Sequence, residues 1–224
     1  MTLREVRDPA EIAQVHARLL EPAFEPTELV TVESLVEGVA AGETEVLVTA
    51  RDGEPQAVAV GDFSPGVALL SYLAVAPGHR STGLGATLLA AAVARWLARV
   101  DPPAVVLTEV EDPACHEAHA LRGDPARRVR FYARGGGRLL DVPYFQPSLG
   151  AGLPRVPGML LVALHIDPRL EHDGRLTDAA PVVAMLEGYF DWAEGVARPA
   201  DADARALFAA LERPGGVPIA ALEG

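Results

Sequence analysis

The sequence predicts an α/β protein of the α+β kind, with helices flanking a mixed, mostly antiparallel sheet. Three observations lead to this prediction. Two β-rich segments surround a hairpin turn signal at Asp52-Gly53. An apolar strand from Val67 to Ala76 then leads through a glycine-bearing turn into an Ala/Leu-rich helix from Leu84 to about Val100. The order that follows, strand, helix, strand, strand, lacks the simple alternation of a Rossmann domain.

The first hundred residues place two helices before the hairpin. Pro9 suits the first turn of a helix because its missing N–H is not needed there. Apolar residues then recur at helical spacing, at Ile12, Val15 and Leu19. The predicted elements are a strand from Leu3 to Val6, the helix from Pro9, a helix from Glu28 to Val39, and hairpin strands from Glu45 to Ala50 and from Gln56 to Phe63.

The second half begins where Pro102-Pro103 ends the long helix. Its predicted elements are a strand from Ala104 to Val110, an irregular loop from Asp112 to Arg122, a helix from Pro125 to Arg134, strands from Arg138 to Phe145 and from Met159 to Ile166, and helices from Ala180 to Val196 and from Asp203 to Leu211. Apolar positions are too frequent after Asp167 for a solvated tail. We expect residues 168–224 to pack on a domain of residues 1–167, although a dimer contact or a pocket cover is also compatible with this pattern.

Composition limits the class of protein. The 224 residues suit one domain with elaborations, and a net charge of −12 argues against nucleic acid and anionic membrane surfaces as partners. No apolar stretch reaches the roughly 20 residues of a membrane helix, and acids in the first dozen residues argue against a signal peptide. The single cysteine, Cys115, excludes an internal disulfide and suits a reducing compartment. We therefore expect a cytoplasmic protein.

The glycine turn between the apolar strand and the long helix carries the clearest functional pattern, Arg80-x-x-Gly83-x-Gly85. A helix N-terminus gathers unpaired backbone N–H groups, and the helix dipole adds about half a positive charge there. Glycines let a ligand approach the backbone without a Cβ in the way. The turn therefore predicts a phosphate or pyrophosphate site. The alternative is an ordinary glycine-bearing turn between a strand and a helix.

Two common phosphate-binding motifs do not fit this turn. A P-loop needs a G-x-x-x-x-G-K-[ST] segment, and the chain contains no lysine. A Rossmann fingerprint needs G-x-G-x-x-G, whereas here an arginine precedes the glycine pair. With Val75-x-Pro77 before it, a strand leading in and a long helix leading out, the motif resembles motif A of the GCN5-related N-acetyltransferases (GNATs).

The resemblance implies the acyl-CoA N-acyltransferase fold, whose mixed sheet contains a splayed central strand pair flanked by helices. It covers an acetyltransferase domain of residues 1–167 and does not reach the helical C-terminal extension of residues 168–224. In this family the motif A amides hold the pyrophosphate of coenzyme A, and the preceding strand pairs with the pantetheine arm. Carried over, the acetyl-CoA-binding residues are Leu73, Ala74, Val75, Arg80, Ser81, Thr82, Gly83, Leu84, Gly85 and Ala86. The Leu73 N–H is then a candidate for polarising the acetyl carbonyl.

A second resemblance lies in Arg128 to Gly135, which looks like the family's R-x-F-Y-x-x-x-G helix. In many members the tyrosine of that helix lies near the thioester sulfur and protonates the leaving thiolate, and here it corresponds to Tyr132. A phenol has an intrinsic pKa of about 10, which suits a hydrogen-bond donor better than a base. The alternative is a tyrosine that only packs beside Phe131. The family usually continues with a Gly-Phe pair, where this chain has only glycines, which leaves the shape of the acceptor site open.

The general base is less clear from the sequence. Several members carry a glutamate on the strand before the glycine turn, where this chain has Leu69. Glu109 and Glu111 end the following strand, and their i, i+2 spacing places both carboxylates on one face. Neighbouring, partly buried carboxylates suit a general base. Two solvated acids at a strand end, or deprotonation through water, are equally compatible with the pattern.

Residues around Cys115 and the connection after residue 142 are weaker candidates. Cys115, His116 and His119 lack a second ligand cluster at a recognisable spacing, so we expect no metal. Tyr144 and Gln146 join two strands where acceptor substrates often lie in this family, and they are pocket candidates.

The sequence thus predicts transfer of an acetyl group from acetyl-CoA to a primary amine by direct attack in a ternary complex. The acceptor is a small molecule or a peptide, and a homodimer is compatible with the apolar C-terminal segment. The alternative is a non-catalytic acyl-CoA-binding sensor or regulatory module that has kept the phosphate site and lost the base.

Overall fold

The computed structural model describes residues 2–51, 53–119, 123–149 and 152–223, with only the backbone of Thr2. Its contacts group the chain into two compact units. The first consists of Met1–Phe63 and Ala68–Pro102, and the second of Ser64–Val67 and Pro103–Gly224. No helix within the described ranges is long and apolar enough to cross a bilayer.

The first unit contains four strands in the order of the sequence, with β1 paired antiparallel to β2 and β2 paired antiparallel to β3. The strands are β1 (Thr2–Val6), β2 (Thr44–Arg51), β3 (Glu54–Ser64) and β4 (Val67–Val75). The helices are α1 (Pro9–Val15), which continues as a π-helical turn (His16–Leu20), α2 (Val32–Ala41) and α3 (Leu84–Leu97). One core is formed by α1, α2 and the sheet face that carries Val46, Val58 and Tyr72.

Helix α2 begins four residues later than the sequence predicts, at Val32 instead of Glu28. The Thr31 side chain caps it by accepting a hydrogen bond from the Ser34 N–H at 3.2 Å. The residues before the cap are held by Tyr72, whose hydroxyl donates to the Glu28 carbonyl at 3.1 Å and accepts from the Val30 N–H at 3.0 Å. These hydrogen bonds with Tyr72, which is distant in the chain, therefore keep Glu28 and Val30 out of the helix.

The second unit has six strands in the order β5-β7-β6-β10-β9-β8, and all the pairs in it are antiparallel. The strands are β5 (Val105–Glu111), β6 (Arg138–Leu140), β7 (Met159–Ile166), β8 (Glu171–His172), β9 (Arg175–Leu176) and β10 (Val217–Ala221). The helices are α4 (Pro125–Arg134), α5 (Ala180–Glu194) and α6 (Ala202–Leu211).

Two parts of this unit differ from the expectation. The strand predicted from Arg138 to Phe145 ends at Leu140, because Pro143 cannot donate to a ladder and the connection becomes irregular. Residues after 167 contribute three short strands besides the expected helices, and β10 lies between β6 and β9. The division into residues 1–167 and 168–224 stays a prediction. Asp52 of the predicted hairpin turn and residues 120–122 of the predicted loop lie outside the described residues.

Candidate active site

The β4 segment with the candidate pantetheine contacts is part of the sheet of the first unit. The side chain of Ala74 is 4% exposed and packs in the core beside Tyr72. Leu73 and Val75 are half-buried, and alternation along the strand directs them to the face opposite Ala74. The packing role of these side chains does not compete with a binding role, because a pantetheine arm would use backbone groups.

The turn after β4 has the geometry of an anion cradle. After a 3₁₀ turn at Pro77–His79, Ser81 and Gly83 adopt left-handed backbone conformations, with φ of 63° and 85°. The Thr82 hydroxyl steadies the turn by donating to the His79 carbonyl at 2.7 Å. Left-handed residues that alternate with ordinary ones turn successive backbone N–H groups toward one concavity, which suits an anion.

Helix α3 begins at this cradle with Gly83 as its N-cap. The Thr87 N–H makes the first helical bond, to the Gly83 carbonyl at 3.0 Å. Helix geometry leaves the N–H groups of the residues between them, Leu84 to Ala86, without intrahelical partners. A Cβ built on Gly83 meets no atom within 4 Å, so the cradle is open on that side. The N–H groups and the dipole of α3 can therefore bind a phosphate from solvent.

Helix α3 is fixed to the sheet at its other end by a buried polar contact that the sequence did not reveal. Trp96 is fully buried, and its indole N–H donates to Glu45 Oε2 at 2.8 Å. The other carboxylate oxygen of Glu45 accepts from Arg95 Nε at 2.9 Å. Gly61 makes room for the indole, since a Cβ there would lie 2.4 Å from the ring. These contacts hold the helix in place behind the cradle.

In the second unit, Glu109 and Glu111 lie on one face of β5, with the buried Val110 between them, as their spacing indicates. Their surroundings differ. Glu111 Oε2 accepts from Arg128 Nη1 at 2.8 Å, and its other oxygen lies 3.9 Å from His116 Nδ1. One oxygen of Glu111 is therefore occupied by an ion pair with Arg128, which makes Glu111 the weaker candidate for a base.

Glu109 is bound by two neutral side chains from the connection after β6. The Tyr144 hydroxyl donates to Glu109 Oε1 at 2.6 Å, and Gln146 Nε2 lies 3.4 Å from Oε2. Both donors are buried, at 4% and 7% exposure. Burial and then the charge of Glu109 raise the pKa of Tyr144 well above that of a free phenol. Tyr144 therefore stays protonated and acts as a donor toward the carboxylate.

Tyr132 lies on α4 and is 5% exposed. Burial raises the pKa of its phenol, while a hydrogen bond with Thr108 lowers it by a smaller amount. The ring also packs edge-on against Phe131 at a centroid distance of 5.0 Å. Thr108 precedes Glu109 in β5, so the two side chains point to opposite faces of the strand. Tyr132 and the Glu109 cluster thus lie on different faces of β5.

Two further observations concern carboxylates and metals. Asp62 of β3 accepts hydrogen bonds from Thr44 Oγ1 at 2.5 Å and from Ser71 Oγ, and burial raises its pKa. An acid that directly follows the small and apolar run from Ala57 to Gly61 is the sequence signal that could have identified it. Across the described residues, no three His, Cys, Asp or Glu side chains are arranged to hold a metal ion. Cys115 is exposed.

The comparisons with known proteins agree with the fold. The model of the acetyltransferase (GNAT) family matches residues 12–123. This range includes β4, the cradle, α3 and β5, and it ends before α4, so it does not reach Tyr132. A search of curated proteins finds no match.

Solved structures of three bacterial proteins resemble the chain over most of its length. A GNAT-family protein from Bacteroides thetaiotaomicron shares 22% identity, with 75% of this chain and 88% of that chain covered and a TM-score of 0.58. The ribosomal-protein-alanine N-acetyltransferase of Brucella melitensis shares 20% identity, with 73% and 98% covered and a TM-score of 0.51. YncA of Salmonella typhimurium, solved with acetyl-CoA, shares 21% identity, with 77% and 98% covered and a TM-score of 0.50. Identities this low show the fold alone. The chain has the predicted acyl-CoA N-acyltransferase fold and belongs to the GNAT family of acetyltransferases.

Proposed function

We propose that this protein transfers an acetyl group from acetyl-CoA to a primary amine of a small-molecule or peptide acceptor, by direct attack in a ternary complex. The observation that carries the proposal is the open cradle at the N-terminus of α3, which follows β4 in a chain of the GNAT family. Acetyl-CoA is the cosubstrate of this family, and its pyrophosphate is the kind of anion that the cradle suits.

Backbone groups bind the cosubstrate in this proposal. The N–H groups of residues 83–86 hold the pyrophosphate, and the β4 backbone around Leu73 pairs with the pantetheine arm. The Leu73 N–H polarises the acetyl carbonyl. No metal takes part in the proposed reaction.

Proton handling requires a base for the ammonium form of the acceptor and a donor for the departing thiolate. We assign the base to Glu109, because the acceptor-pocket candidates Tyr144 and Gln146 contact it, whereas Glu111 is paired with Arg128. The donor is Tyr132, whose raised pKa keeps the phenol protonated at neutral pH. Transfer of the acceptor proton through water remains the alternative to Glu109.

In this proposal the protein acts on amines in the cytoplasm and has no nucleic acid or membrane partners. A homodimer is compatible with the apolar C-terminal segment. The net charge of −12 attracts cationic acceptors in preference to polyanions.

Coenzyme A binding by Gly85→Val tests the cradle. A Val side chain in the first turn of α3 projects beside the N–H groups, and we expect a loss of affinity of about tenfold or more. Gly188→Val is the matched control, because Gly188 also lies in a helix and a Cβ there meets no atom within 4 Å. Gly83 is less suitable, since its φ of 85° strains any other residue. Equal coenzyme A affinity in the two folded variants would refute the cradle assignment.

Acetyl transfer to a panel of primary amines then separates an enzyme from a binding module. Leu69, which is 6% exposed, stands where several family members carry the catalytic glutamate, and this departure favours the module. Coenzyme A binding without acetylation of any amine would support the module and overturn the proposed reaction.

A further inference from the structure

One buried acceptor in the second unit has no partner among the described residues. Gln146 is 7% exposed, its side-chain N–H₂ group faces Glu109, and its carbonyl oxygen Oε1 has no hydrogen bond. Buried side-chain amides in folded proteins are normally satisfied, because an unpaired acceptor loses its bonds to water without replacement. An unpaired buried acceptor of this kind indicates a position at which a bound molecule donates a hydrogen bond.

The orientation of the Gln146 amide follows from its neighbours. Glu109 Oε2 is an acceptor, so the amide must turn its N–H₂ group toward it, and the carbonyl oxygen then faces away. The backbone of Gln146 is fixed by a two-way bridge to Val156, with N···O distances of 2.9 and 3.0 Å. Rotation of the main chain therefore does not bring Oε1 to another partner.

The side chains on the N–H₂ side of the Gln146 amide are a carboxylate and a phenol bonded to it. Glu109 is a carboxylate, and Tyr144 already donates to it at 2.6 Å. Tyr189 of α5 lies close enough to Tyr144 to contribute to the rise of its pKa. These neighbours are a carboxylate and two phenol rings, and no donor among the described residues makes a hydrogen bond to Oε1.

We propose that Glu109, Gln146 and Tyr144 form an ammonium subsite, in which Gln146 Oε1 accepts an N–H of the acceptor amine and Gln146 determines specificity. The proposal rests on the proposed function for its choice of an amine. A primary ammonium has three N–H donors, any one of which can bond Oε1. A quaternary ammonium carries the same charge and no N–H. The subsite therefore selects primary amines by hydrogen bonding, beyond the attraction of charge.

Because Oε1 is shielded from solvent, a ligand reaches it only when a neighbouring side chain moves. Binding then alters the surroundings of the Gln146 amide, and that change can be observed directly. The chain has three glutamines, Gln14, Gln56 and Gln146, and no asparagine. An ¹⁵N-labelled protein therefore shows only three side-chain amide N–H₂ pairs, and Gln146→Met identifies the relevant one.

The test is a titration of the full chain, without coenzyme A, with three probes of similar shape: benzylammonium, benzyl alcohol and benzyltrimethylammonium. We expect a saturable shift of the Gln146 N–H₂ pair with benzylammonium alone. Gln146→Met, which keeps the length and removes the acceptor, should weaken benzylammonium binding about tenfold, the equivalent of one hydrogen bond. Gln14→Met is the matched control, because Gln14 is an exposed residue of α1.

The outcomes separate the subsite from the proposed reaction. A shift of equal size with benzyltrimethylammonium would show that aromatic faces bind the cation, and would overturn the hydrogen-bond assignment. An unshifted Gln146 pair, or unchanged affinity in a folded Gln146→Met variant, would overturn the subsite even if the wild type acetylates benzylamine. A benzylammonium-specific shift in a protein that acetylates no amine would support the subsite and count against the proposed function.

Discussion

Replacing Arg155 by leucine should destabilise the connection that carries Tyr144 and Gln146. The guanidinium makes a two-bond contact with Glu194 of α5, with N···O distances of 2.8 and 2.6 Å. Its third nitrogen lies 3.0 Å from Asp201, the N-cap of α6. The same group lies over the Phe145 ring, with its carbon 4.8 Å from the centroid. One side chain thus joins the connection to the start of one helix and the end of another.

The size of the loss follows from these contacts. A hydrogen bond to a charged group contributes about 1.5–3 kcal/mol, and Arg155→Leu removes two such bonds to Glu194. The side chains are 26% and 14% exposed, and Glu194 keeps its bond from the Ser148 N–H, so water and backbone recover part of this energy. We expect a loss of about 2–3 kcal/mol in the free energy of unfolding at pH 7.

The pH dependence gives an independent check. Arg155 lowers the pKa of Glu194, and it lowers the pKa of Asp201 to about 2. Carboxyls whose pKa is depressed in the folded state stabilise it above their unfolded pKa values of about 4, and lose that contribution as the pH falls through the folded values. Asp201 is 42% exposed, so Glu194 dominates. The difference between wild type and Arg155→Leu should therefore shrink between about pH 4 and pH 2.

Urea denaturation followed by circular dichroism at pH 7, 4 and 3 measures these differences. Arg138→Leu is the matched control, because Arg138 bonds a single carboxylate, Glu171, and is 37% exposed. An exposed pair of this kind contributes at most about 1 kcal/mol. The reasoning would be refuted if Arg155→Leu cost no more than Arg138→Leu, or if its cost stayed constant as the pH fell.

Two other substitutions test the tyrosine on α4 and the packing behind the cradle. Tyr132→Phe should lower the rate of acetyl transfer about a hundredfold with coenzyme A affinity unchanged, as steady-state kinetics and calorimetry can measure, because it removes the proposed donor to the thiolate. A normal rate would leave Tyr132 as a packing residue. Gly61→Ala should lower stability by about 1–3 kcal/mol, since its Cβ would lie 2.4 Å from the Trp96 ring. A thermal shift assay measures this, and an unchanged melting temperature would contradict the tight fit.

The glycine turn after β4 and the start of α3 could be predicted from the sequence because their causes are local. The left-handed turn, the helix start and the missing Cβ atoms all lie between Arg80 and Gly85. The shared face of Glu109 and Glu111 on β5 could also be predicted, because side chains alternate along a strand whatever the tertiary structure.

The environment of those carboxylates could not be predicted, because it depends on distant segments. Gln146 lies 37 positions from Glu109, and Arg128 lies 17 positions from Glu111. The two acids have the same pattern in sequence, and only the fold shows that Glu111 contacts Arg128 and that Glu109 contacts Tyr144 and Gln146. Strand β10 was missed for a different reason: Pro218 within it weakens any strand prediction.

The position of β10 has a consequence for how the second unit forms. Its neighbours are β6, near residue 140, and β9, near residue 176, so the ladder joins segments far apart in the chain. Closing such long loops costs chain entropy before any pairing is gained, and proteins rich in distant contacts fold slowly. During synthesis the edges of β6 and β9 stay unpaired until residue 221 has been added. Unpaired strand edges favour pairing with other chains, so these two edges are the places in the second unit where incomplete folding favours aggregation.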